Sequence, residues 1–160
     1  MSKVSLKDAT VKLKGGGTGE EITLKIGDGA VTYTEYQNRD YTLDRGLLDE
    51  VREGDEQPMD VSMDFNWEWL EAFGTGTPPT PREVLQNLAG WTSTDSDECR
   101  PPSIDIEITI AKICGAVTEQ EVILLPYYRN DQLDYDIDAG QISGPGKCNA
   151  NLATVVHSST

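Results

Sequence analysis

The chain is poor in the residues that carry most chemistry. It has a single histidine, His157, and three cysteines, Cys99, Cys114 and Cys148, none of them in a Cys-x-x-Cys pair. An odd number of thiols without metal-ligand spacing makes neither a disulfide framework nor a zinc site, and buried thiols in a reducing interior are the expectation. Cations are scarce: 13 Lys plus Arg face 28 Asp plus Glu, a net charge of −15. A surface of that sign repels nucleic acid and anionic membranes. Long apolar runs are missing too, so no transmembrane helix is expected, and the first residues, M-S-K-V-S-L-K-D, lack the apolar stretch of a signal peptide.

No catalytic constellation stands out. No G-x-S-x-G occurs, His157 has no flanking Cys or Asp, and Gly15-Gly16-Gly17-Thr18-Gly19 lacks the Gly-Lys-Ser/Thr ending of a phosphate loop. Asp134, Asp136 and Asp138 begin like a calcium loop, but the sixth and twelfth positions are Ala139 and Pro145 rather than Gly and Glu. Asp95, Asp97 and Glu98 form a small acidic cluster of the kind that is usually only solvated. The expectation is a protein that is not an enzyme and uses no cofactor or metal.

What is present is alternation. Met59 to Trp69 reads M-D-V-S-M-D-F-N-W-E-W, apolar at every odd position and polar at every even one. A period of two marks a half-buried strand, here roughly 35 Å long at about 3.3 Å per residue. Ile104–Ile110 and Leu133–Ala139 alternate likewise, Glu121–Tyr128 is an apolar run whose Pro126 demands an edge or a bulge, and a last short strand is expected near Leu152–His157. Glu20–Ile26 and Ala30–Tyr36, joined by Gly27-Asp28-Gly29, read as a hairpin. Ser143-Gly144-Pro145-Gly146 reads as a turn. Thr80-Pro81-Arg82-Glu83 carries the cap, first-turn proline and acid of a helix start, predicting a helix over about 80–89 with Val84, Leu85 and Leu88 on one face and Gly90 at its end. Eight or nine strands and one flanking helix predict a mainly β, sandwich or barrel-like fold in a single domain of 160 residues.

Two stretches are unusual. Over residues 38–58 the alternation breaks into a charged loop with Tyr41, Leu43, Leu47, Leu48 and Val51 as apolar teeth. It reads either as a solvated loop with a helical turn at Leu47–Arg52, or as a docking element whose charges set register. The second is the placement of acids. Asp60, Asp64 and Glu68, then Asp105 and Glu107, then Asp134, Asp136 and Asp138 all fall on the polar side of alternating strands. Like charges on paired strands are destabilising, which suggests that an acidic sheet surface is needed. General solubility is the plain alternative.

The run Y-T-L-D-R-G-L-L-D-E-V-R-E-G-D-E-Q-P-M-D-V-S-M-D-F, Tyr41–Phe65, resembles tail tube proteins of long-tailed bacteriophages. So does the order of N-terminal strands, charged loop, long strand, capped helix and further strands, over roughly residues 20–140. The resemblance implies a virion structural protein, assembled in the host cytoplasm, whose hexameric rings stack into a tail tube. The tube surrounds a tape-measure protein, meets tail terminator and tail-tip proteins, and later conducts double-stranded DNA without specific binding and with no membrane contact. It implies an N-terminal arm (about 1–19), a stacking loop (about 38–58) and a C-terminal arm (about 143–160). The eight strand-face acids become candidates for the lumen wall, and Leu47, Leu48, Val51, Arg45 and Arg52 candidates for inter-ring contacts. The alternatives are a single-ring virion protein, such as a head–tail joining or terminator subunit, and a calcium-dependent binding module.

Overall fold

In the computed structural model, residues 9–24, 31–66, 79–114 and 117–159 are described. The fold is mainly β. Eleven strands form among these residues: β1 (Ala9–Lys14), β2 (Glu21–Leu24), β3 (Val31–Thr34), β4 (Arg39–Asp44), β5 (Leu47–Glu53), β6 (Met59–Asn66), β7 (Ile104–Cys114), β8 (Val117–Asn130), β9 (Asp134–Asp136), β10 (Gln141–Cys148) and β11 (Thr154–Ser159), with a helix, α1 (Pro81–Leu85), between β6 and β7. Nine strands join one antiparallel sheet in the order β2-β1-β7-β8-β10-β6-β3, with β11 beside β8 and β9 beside β10; β4 and β5 pair only with each other. No helix among the described residues is long and apolar enough to cross a membrane.

Alternation decides which face is buried. Val11 and Leu13, Met59, Val61, Met63 and Phe65, Ile104, Ile106 and Ile108, and Ile123 and Leu125 turn inward into one core with Ile142 and Cys148. A five-residue helix cannot cover nine strands, so the sheet covers itself by curling. Tyr33 on β3 packs against this core. Its hydroxyl is pushed upward first by burial, then by Glu35 and by Glu121 on β8, a strand three steps away along the hydrogen-bonded path.

The bend falls where Pro126 demanded it. Between Ile104 and Ile106 the register of β7 on β8 slips from Tyr128 to Leu125, and Tyr127 takes a positive φ of 55°. The freed Tyr127 amide donates to Asp105 Oδ1 at 3.1 Å. The bulge swings Tyr128 inward, where its hydroxyl donates to the Gly144 carbonyl at 3.0 Å and its ring lies on Gly146. Ser143–Gly146 is therefore strand, within β10, and not a turn: Gly146 makes room for the tyrosine ring and the Arg129 carbonyl, and Gly144 supplies the carbonyl that the tyrosine hydroxyl meets. Pro145 is tolerated because its face of the strand meets the break between β8 and β9, where its carbonyl accepts from the Asp131 amide at 2.9 Å.

Other expectations change. β2 pairs with β1 and β3 with β6, so the hairpin expected over 20–36 does not form; β1 supplies a nearer apolar partner through the Gly15–Gly19 turn. That turn is pinned: the Gly15 amide donates to the Glu20 carbonyl, the Gly17 amide to the Glu20 carboxylate, and the Gly16 amide to the Thr92 carbonyl. The arms expected over 1–19 and 143–160 are in part integral strand, since β1 and β10 lie inside the sheet. The helix ends at Gln86 rather than near Ala89. Asn87, at φ 59°, donates to the Val84 carbonyl and Leu88 to that of Glu83, a left-handed stop that leaves Leu88 exposed. Its start is as expected, with the Thr80 hydroxyl accepting from the Glu83 amide at 3.3 Å. Of the long strand, Met59–Asn66 is seen, and Trp67, Glu68 and Trp69 lie outside the described residues.

A methyl group on Gly146 would collide with the Arg129 carbonyl oxygen and sit 2.7 Å from the Tyr128 ring. Gly146→Ala is expected to cost about 1–3 kcal/mol, read as a lower denaturant midpoint with an unchanged slope.

Candidate assembly surfaces

The stretch over 38–58 is neither loop nor helical turn; it is the β4–β5 hairpin. Arg45 and Gly46 both take positive φ, 50° and 82°, as a two-residue turn matched to strand twist requires. The apolar spacing Leu47, Leu48, Val51 imitates a helix because Asp49 is a bulge: Leu43 opposes Leu48, yet Thr42 opposes Glu50. Cross-strand partners share a face. Tyr41, Val51, Leu43 and Leu48 consequently make one apolar face, while Asp40, Arg52, Thr42, Glu50, Asp44 and Leu47 lie on the other. The bulge moves Leu48 onto the side of Val51; without it the two would point oppositely. The readable signal was Arg45-Gly46 between two short alternating runs.

Nothing among the described residues covers this hairpin. Tyr41, Leu43, Leu48 and Val51 are 62%, 60%, 76% and 55% exposed, and Leu47 is 73% exposed. Its base is fixed. The Gly54 amide donates to the Asn38 carbonyl at 2.9 Å and Asn38 Nδ2 to the Asp55 carbonyl at 2.8 Å. The Tyr36 hydroxyl donates to Asp60, which also meets Lys147 Nζ at 3.2 Å. The tyrosine first and the lysine second hold the Asp60 carboxyl below its ordinary value.

The candidate wall acids fare differently from one another. Register places Asp60, Asp64, Asp105 and Glu107 on the outward face, as expected, but cations stand beside them. Lys147 opposes Asp60, Lys12 opposes Glu107 and Lys14 opposes Asp105. Lys14 Nζ reaches Glu107 at 2.5 Å, and that contact raises the lysine's pKa. Asp64 accepts from the Ser143 hydroxyl at 2.5 Å, and Asp105 serves the bulge. The premise of like charges facing one another is thus corrected. On this face Glu21, Asp60, Asp64, Asp105, Glu107, Asp134 and Asp136 still outnumber Lys12, Lys14, Arg129 and Lys147. Asp134 and Asp136 are exposed on β9; Asp138 lies beyond it in the 137–140 turn, where Ile137 is 81% exposed rather than inward, and Asp136 Oδ1 accepts the Ala139 amide. Glu68 lies outside the described residues.

Asp95 is structural. Its side chain, 9% exposed, takes Arg100 at 3.2 Å and Arg129 at 3.1 Å and accepts the Asp97 amide at 3.1 Å. The amide first, then Arg129, lower its pKa. With buried Ser103, whose hydroxyl accepts from the Asp95 amide at 3.1 Å, it ties the 91–102 segment to β8. The thiols divide: burial pushes Cys148 up to about 12, whereas Cys99 is exposed, contrary to expectation.

Comparison with protein-family models, with curated proteins and with solved structures found no match for this chain.

A depressed pKa means that the stability due to Asp95 is complete above the ordinary carboxylate range and is lost as pH falls through the lowered value. Amide exchange over 93–103 should therefore stay slow in the native protein down to that range. In Asp95→Asn it should be fast already at neutral pH. Thiol labelling in a Cys114→Ser background should modify Cys99 at once and Cys148 only on unfolding.

Proposed function

We propose that this chain is a structural subunit of a bacteriophage tail tube, forming hexameric rings that stack around a lumen. The carrying observation is the β4–β5 hairpin, which presents four large apolar side chains on one face with nothing over them among the described residues. A monomer gains nothing from such an element, and exposed contiguous apolar surface marks contact sites. The sheet supports the same reading. β2 and β3 end the hydrogen-bonded path, each with an edge that no strand among the described residues pairs, where strands of neighbouring subunits can join a common barrel.

The outward face suits a lumen wall in a modified form. Paired lysines hold Asp60 and Glu107 in place, and the remaining acid excess repels the phosphates of passing DNA without offering them a cluster of donors. The tape-measure protein would occupy the same channel before ejection, with terminator and tail-tip proteins at the ends. The tube belongs to the virion tail and is built in the host cytoplasm. The protein works as a building block, without catalysis.

The face division gives the test. Exposing Leu43 and Leu48 costs each about 1.5–3 kcal/mol of burial on association. Leu43→Ser/Leu48→Ser should lower the assembly constant by on the order of a hundredfold or more, with thermal stability unchanged. Leu47→Ser, on the other face, should assemble nearly as the parent. The readout is the fraction that sediments as polymer. Equal sedimentation of all three proteins refutes the docking role, and parent protein that stops at discrete rings favours a joining or terminator subunit.

A further inference from the structure

The hairpin leaves the sheet at one pole, and the sequence shows why it leaves there. β3 and β6 pair from Val31 and Met63 to Thr34 and Asp60, so continued pairing would set Tyr36 opposite Pro58. Pro58 has no amide to give. The ladder stops, and two legs turn away from the sheet, residues 35–38 into β4 and residues 54–58 back from β5. The Gly54 amide on the Asn38 carbonyl and Asn38 Nδ2 on the Asp55 carbonyl tie the legs to each other, so the hairpin moves as one piece.

Its attachment to the body is thin. Every residue of β4 and β5 is exposed, and neither strand pairs with the large sheet. The second leg is fixed where the Met59 amide donates to the Ala150 carbonyl at 3.0 Å. Among the described residues the first leg reaches the sheet through one side-chain bond, from the Tyr36 hydroxyl to Asp60 Oδ2. The two are diagonal neighbours, a separation that an aromatic side chain spans. Lys147, opposite Asp60 on β10, holds the other carboxylate oxygen at 3.2 Å. Its neighbour across β8, Arg129, is taken by Asp95 at 3.1 Å.

The hairpin has room to tilt. A cleft of about 160 Å³ separates Arg39 and Glu53 at its base from Asn151 and Leu152 on the body. The seven residues of β5 reach about 23 Å at roughly 3.3 Å per residue, so a tilt of about 15° carries the tip about 6 Å.

We propose that Asp60 is the pin that sets the angle of the β4–β5 hairpin, holding it through the Tyr36 hydroxyl, while Lys147 orients the carboxylate. Asp60 is then a positioning residue for the docking face. Held at one angle, Tyr41, Leu43, Leu48 and Val51 form a ready surface, and association does not have to arrest a swinging arm. The pin belongs to the single subunit; only its consequence for assembly rests on the reading above.

Two measurements on the full chain test it. Spin labels at Asp44→Cys on the hairpin and Thr10→Cys on β1, in a Cys99→Ser/Cys114→Ser background with Cys148 buried, report the angle in dilute, unassembled protein. The parent should give one narrow distance. Tyr36→Phe and Asp60→Ala should each broaden it, the double variant no more than either alone, with thermal stability nearly unchanged. A broad distance in the parent, or a narrow one in Tyr36→Phe, overturns the pin. In sedimentation both variants should lower the assembly constant about threefold to tenfold, the scale of one hydrogen bond at a half-exposed site. Broadened distances with undiminished polymer overturn the role in assembly. Narrow distances with diminished polymer overturn the pin and leave the tube reading standing. Broadening in a protein whose parent never polymerises supports the pin and refutes the tube.

Discussion

Among the described residues, the structure depends on burying one apolar face of a nine-stranded sheet with hardly anything except the sheet itself. The strands supply inward rows of Ile, Val, Leu and Met, and α1 adds only Pro81, Val84 and Leu85. Curling is the remaining solution, and curling needs a bend at a defined place. The Pro126–Tyr127 bulge provides it, Asp105 satisfies the amide that the bulge frees, and Tyr128 locks the bent strand onto Gly144 and Gly146. The same constraint explains the hairpin by contrast. The buried apolar residues of the core come from the large sheet and α1, and those of β4 and β5 take no part in it.

Much of this was legible in the residues. A period of two places Met59–Asn66, Ile104–Ile110 and the apolar half of β8 correctly, because a half-buried strand has no other way to satisfy both faces. The Thr80-Pro81-Glu83 cap was equally plain. What escaped was pairing and interruption. Alternation does not say which strand lies beside which, so β2 and β3 read as partners when they end opposite sides of the sheet. Glycine and proline ordinarily punctuate, and only the Tyr128 ring, brought from 16 residues upstream of the carbonyl it meets, shows why Gly144 and Gly146 belong inside a strand. A single bulge at Asp49 turned a strand into an apparent helical turn.

The acids illustrate the same limit. Sequence placed Asp60, Asp64, Asp105 and Glu107 on the outward face, and register agrees. Sequence alone could not place Lys12, Lys14 and Lys147 next to them, since those lysines come from strands far away in the chain. Acid and base together form a fixed, weakly negative surface in which single carboxylates hold bulges, hydroxyls and lysines in position. The exposed excess lies on Asp134 and Asp136.

The central claim is that an apolar hairpin at one pole joins copies head to tail into a tube. Cryo-electron microscopy of the concentrated protein tests it most directly. The account predicts continuous tubes of stacked rings with a regular axial repeat, each β4–β5 hairpin lying across the boundary between rings. Particles that remain single subunits, or tubes whose hairpins face solvent, would contradict it.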